Sequence, residues 1–79
     1  MIHINWNEFK YFKQGRANPE SLDNFQLLLE FIKSFYNISN VYDIFDMLRD
    51  DELSAMMLEK RGISDPTHLE DFIYKQRRT

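Results

Sequence analysis

The 79-residue chain contains no cysteine, only two glycines and two prolines, and a single tryptophan. Without thiols it has no disulfide framework, no thiolate zinc site and no cysteine nucleophile. Its apolar runs, such as residues 27–29, are far shorter than the roughly 20 residues a bilayer requires. The opening "MIHINWNEFK" lacks a basic start followed by an apolar run, so a soluble, cytoplasmic protein with no membrane partner is expected. So few glycines leave no phosphate-cradling loop. The two histidines, His3 and His68, stand in unrelated contexts, and no carboxylate pair sits among apolar neighbours. His68 and Asp71 are one helical turn apart and read as a side-chain pair. The run "DMLRDDEL" has no glycine to turn a cation-binding loop. A non-enzymatic protein without metal or cofactor is the expectation.

What the chain does have is apolar and aromatic bulk. Hydrophobic residues make up 43% of it and aromatic residues 15%, with seven Phe, four Tyr and Trp6. That suffices for one domain, 1–79, near the lower limit of independent folding, where roughly 60% of the unfolded surface is buried. The net charge of −3 is unevenly spread. Residues 1–16 carry Lys10, Lys13 and Arg16 against Glu8, a net +2; residues 17–72 carry twelve acids against four bases, a net −8. Lys75, Arg77 and Arg78 give the end +3. An acidic body with basic ends does not suit a surface devoted wholly to nucleic acid, though it leaves room for a local basic patch.

Periodicity predicts an all-α, compact bundle of four or five short helices. "NWNEFKYFKQG" spaces Trp6, Phe9 and Phe12 three apart, with Gly15 as a left-handed terminator. The central helix is expected over residues 18–36. Asn18 caps it, Pro19 presets the first turn, Glu20 and Asp23 favour its positive end, and Leu22, Phe25, Leu28, Leu29, Ile32, Phe35 and Tyr36 form its stripe. Before the first helix, "IHI" reads as irregular. In residues 39–62, Val41, Ile44, Phe45 and Leu48 follow a Ser39 or Asn40 cap, and Leu53, Met56 and Met57 follow an Asp50 or Asp51 cap. Two helices with a bend near Asp50 result. Gly62 ends the second, with Ile63 folding back on Leu58. Asp65 and Pro66 start the last helix, which turns Leu69, Phe72 and Ile73 inward and frays over residues 75–79.

The hairpin "EKRGISDPTHLEDF" has the outline of a helix-turn-helix. However, Leu58 stands where a small residue lets the helices approach, and the second helix offers Thr67, His68, Glu70 and Asp71, whose acids phosphate would repel. A plain helix corner is expected. The segment "LSAMMLEKRGISDPTHLEDFI" resembles the short N-terminal segment of RecJ-type single-strand exonucleases, where an Arg-Gly-Ile turn and a phenylalanine-ended helix recur. The Asp-His-His motif of that family's chemistry is absent, so the resemblance implies a helical hairpin and no activity.

Asp43, Asp46 and Asp50 recur at i, i+3 and i+7, with Asp51 and Glu52 directly after. They form either a solvated face opposite Ile44, Phe45 and Leu48, or an acidic ridge for a basic partner, with Tyr42 and Met47 as apolar anchors. Met47, Met56 and Met57 could supply an adaptable surface, with Met56 or Met57 in the core. Lys10, Lys13 and Arg16, beside an exposed Tyr11, form a basic edge. With Lys75, Arg77 and Arg78 they are the alternative, nucleic-acid-binding set. The expected function is a small interaction module, a regulator or inhibitor acting on another protein through the acidic ridge. In size, lack of cysteine and richness in Asn, Ile, Phe and Tyr the chain is similar to small regulators carried by phages and mobile elements. A nucleic-acid-binding protein and a structural assembly subunit, with homodimerisation, are the alternatives.

Overall fold

The computed structural model describes residues 3–15 and 23–77. They form five helices: α1 Trp6–Gln14, α2 Asn24–Phe35, α3 Val41–Asp50, α4 Glu52–Lys60 and α5 Pro66–Arg77. No strand occurs among the described residues. The Cα radius of gyration is 12.0 Å, close to the roughly 11.6 Å expected of a compact chain this long.

Each helix starts on a side chain that satisfies an otherwise unpaired amide. Asn5 accepts from the Glu8 amide at 3.1 Å, Asn40 from those of Tyr42 and Asp43 at 2.8 and 3.2 Å, and Asp65 from that of His68 at 3.0 Å. Asp23, with extended backbone, caps α2 by accepting from the Phe25 amide. The central helix α2 therefore begins at Asn24. The expected Asn18 cap, with Pro19, Glu20 and Leu22, lies outside the described residues.

The stops correct one expectation and meet another. Gly15 ends α1 at φ −78°, right-handed, and its amide still bonds the Tyr11 carbonyl. Among the described residues the left-handed ones are Asn37 at φ 57° and Gly62 at φ 68°. At Gly62 the Ile63 amide reaches back to the Leu58 carbonyl and the Gly62 amide to that of Glu59, both at 3.0 Å. Ile63 is buried with Leu58, closing a Schellman turn. At the other corner Asp51 is extended, as expected for a bend after Asp50. Its Oδ1 accepts from the Leu53 and Ser54 amides. The Ser54 hydroxyl, fully buried, donates back across the bend to the Leu48 carbonyl. The last helix runs to Arg77.

α2 is the centre. Phe25, Leu27, Leu28, Leu29, Phe31 and Ile32 are all buried, a wider face than the predicted stripe, which lacked Leu27 and Phe31. α1 and α3 pack on α2, while α4 and α5 pack on α3. Phe25 meets Phe72 of α5 edge-on at 5.2 Å, and Phe31 meets Phe9 and Phe12 of α1 at 5.4 and 5.5 Å. Ile4 is buried in the same core, and the Tyr36 hydroxyl accepts from the Asn5 amide and donates to the His3 carbonyl. The irregular N-terminal segment is thereby tied to the end of α2.

One ion pair joins α2 to α4. Arg61, at the end of α4, pairs with Asp23 and lays its guanidinium 4.9 Å from the Phe25 ring centre. The Arg61 guanidinium holds the Asp23 carboxyl below its ordinary value of 3.8; partial burial opposes this and the Phe25 amide adds to it. A lowered folded value means that the stabilisation is complete above pH 3.8 and is lost as pH falls through the folded value.

Two outcomes are expected from this architecture. Asp23→Asn keeps a capping side chain and removes the charge. It should cost about 0.5 kcal/mol near neutral pH, because the pair is partly solvated, and the difference should shrink as pH falls below 3.8 and Asp23 becomes protonated; a difference constant with pH in thermal melts would contradict the ion pair. Ser54→Ala should lower stability by about 1 kcal/mol through the lost bond across the bend, measured by urea titration, and an unchanged midpoint would show that the bond does not hold the corner.

Candidate functional site

Of the stripe Leu53, Met56 and Met57 of α4, where Met56 or Met57 was expected in the core, only Met57 packs against it. Leu53 is 56% exposed and Met56 53%, while Met57 is half-buried against the core. The cause lies in the two corners of α4. The Asp51 cap and the Gly62 turn direct Ser54 and Leu58 inward against α3, the two residues of α4 that are buried. The face one step round the helix is then left facing α1, which packs on α2 instead.

Between α1 and α4 runs an open groove of about 550 Å³, within the roughly 300–1,000 Å³ of ligand clefts. Trp6 and Phe9 line it from α1, with Leu53, Met56 and Met57 from α4. Lys10, Lys13 and Lys60 supply its charge and Asn24 lines it from the start of α2. The Trp6 indole N–H donates to Asp51 Oδ2 at 3.1 Å and its ring meets Phe9 edge-on at 5.7 Å. Lys13 Nζ lies 4.7 Å from the Phe9 ring centre, so its charge rests on an aromatic face. The groove can hold an apolar side chain and a negative charge together.

The predicted acidic ridge is divided by the structure. Asp43, Asp46, Asp50 and Glu52 are exposed, with Tyr42 59% exposed among them. Asp46 stands 3.4 Å from Arg49 on the same helix. Met47 is a correction: it is 6% exposed and part of the core, because its position on α3 faces inward beside Ile44 and Leu48. It cannot anchor a partner. Asp51 is half-buried, and both its oxygens are engaged in capping α4 and holding Trp6.

The basic set is also redistributed. Lys10 is exposed and Lys13 half-buried, and both join Lys60 at the groove, a grouping that the sequence order did not show. Tyr11 is exposed, as expected. Lys75 is exposed on α5, which packs on α3 rather than on α1. Arg77 is described as the last residue of α5 only in its backbone, and Arg16 and Arg78 lie outside the described residues.

At the start of α5 three polar side chains meet that sequence reasoning had not grouped. The Ser64 hydroxyl lies 3.1 Å and its amide 3.2 Å from His68 Nδ1, and His68 Nε2 is 3.7 Å from Asp65 rather than paired with Asp71. The Ser64 N–H donates to Nδ1, so that nitrogen accepts. Asp65 also bonds the His68 amide. The trio is exposed and clasps a helix start; the Nδ1 lone pair that a nucleophilic triad would use to take the hydroxyl proton is engaged by the Ser64 amide. Among the described residues no three His, Asp or Glu converge to hold a metal, and no helix is long and apolar enough to cross a membrane. Compared with known proteins, the chain matches no family model, no curated protein and no solved structure.

Proposed function

We propose that this chain is a small protein-interaction module, a regulator or inhibitor that works by docking on a partner protein through the groove between α1 and α4. The observation that carries this reading is the exposure of Leu53 and Met56 beside Trp6, in one concave surface. A chain this small needs its apolar residues for the core, and an exposed apolar concavity with a charged rim is the usual anatomy of a docking site. Methionine walls add adaptability, since an unbranched thioether can repack around different side chains.

Nucleic acid remains the second reading, on the observation that three lysines gather in the groove with two aromatic rings. It fits less of the surface. Phosphates would find Lys10, Lys13 and Lys60, but Leu53, Met56 and Met57 offer them nothing, and Phe9 is buried and cannot stack on a base.

The test is affinity capture of the tagged protein from lysate of its source cells after nuclease treatment, with two variants in parallel. Leu53→Asp/Met56→Asp changes exposed side chains and should alter stability by no more than about 1 kcal/mol in total, yet it should abolish recovery of the partner. Asp46→Lys/Asp50→Lys should recover it unchanged. Loss of the partner in the second variant alone would move the docking surface to the acidic ridge. Recovery that depends on intact nucleic acid would favour the second reading.

A further inference from the structure

We infer, on the reading that the groove is a docking surface, that its occupant is an amphipathic helix of another protein with an apolar stripe and a carboxylate-rich end. The two walls share one layout. On α1, Trp6 and Phe9 precede Lys10 and Lys13; on α4, Leu53 and Met56 precede Lys60. The bond from Trp6 to Asp51, the cap of α4, sets the starts of the two helices side by side. At the other end Asn24 lines the groove, and its neighbour Asp23 pairs with Arg61, directly after Lys60. The groove is therefore apolar toward one end, where Asp51 supplies a carboxylate, and cationic toward the other.

Charge and length then select the occupant. The chain has 13 Asp and Glu against 10 Lys and Arg, yet among the described residues three lysines line the groove, and the carboxylate beside it, Asp51, stands at the apolar end and is engaged by Trp6. The cationic end is complementary to carboxylates at one end of a ligand. Each wall is a nine-residue helix, about 13 Å long at the usual rise, which two to three turns of a partner helix would cover. Anchors at i, i+4 and i+7 of that helix would face the apolar end and middle, and its acidic turn would face the lysines. An apolar segment with a basic end would place like charges together.

Trp6 is the single tryptophan and lines the groove, so its emission reports occupancy directly. Two synthetic helical peptides without tryptophan would be titrated at about 0.15 M salt. They share one Leu/Phe stripe and differ only in Glu or Lys residues in the last turn. The Glu-ended peptide should shift Trp6 emission to the blue and bind about tenfold more tightly than the Lys-ended one. Lys10→Glu/Lys60→Glu, which leaves Lys13 on Phe9, should reverse that order. Equal affinities, or an order that does not reverse, would overturn the charge selection while the docking reading stood, since capture of the partner is measured separately. Binding that survives Leu53→Asp/Met56→Asp, or no binding by either peptide, would overturn the helical occupant. So would occupancy by dodecanoate alone, a small amphiphile, or a dimer in sedimentation that the same double variant dissolves, a second copy.

Discussion

Phe31 is the contact around which the chain closes. Its ring touches those of Phe9, Phe12, Phe35 and Tyr36, with centres 4.9 to 5.8 Å apart. It thereby joins α1 to the end of α2 from the middle of the central helix. With no disulfide available, a domain of this size depends on such area-rich contacts, each aromatic pair adding about 1 kcal/mol to what burial alone supplies. Once Phe31, Leu27 and Leu28 are enclosed, α2 has little exposed surface left, and the other helices are arranged by what they must cover.

The short helices are then directed by single residues at their ends. Asn37 and Gly62 adopt the left-handed turn that ends a helix, and Asp51 ends one helix and begins the next. These local devices decide which faces of α4 are spent on the core. Ser54 and Leu58 are, and Leu53 and Met56 are not. The groove is thus a by-product of corner geometry as much as of composition.

The corners were legible in the sequence because capping depends on residues within one turn of each other: Asn40, Asp51, Asp65 with Pro66, and Gly62 with Ile63 all lie where the pattern placed them. The start of the central helix was less so, because Asp23 is as competent a cap as the expected Asn18, and its pairing with Arg61 is a tertiary contact that no local pattern shows. Gly15 was misjudged as left-handed because glycine permits that conformation without requiring it. Leu27 and Phe31 fall outside a single stripe, and their burial becomes visible only once α2 is covered on several sides. The site suffered most. Periodicity could not tell Met47, which is buried, from Met56, which is exposed, and nothing local relates Lys10 and Lys13 to Lys60.

The groove has walls from distant parts of the chain, and one of them, α1, rests on α2 through Phe9 and Phe12 and on the α4 corner through Trp6. If α1 lifts away, the groove ceases to exist while α3, α4 and α5 retain their mutual packing. On the proposed docking reading, occupancy and the seating of the first helix are then one thermodynamic equilibrium. Whatever fills the groove draws its affinity partly from the population in which α1 is seated, and in turn protects that helix's amides from exchange.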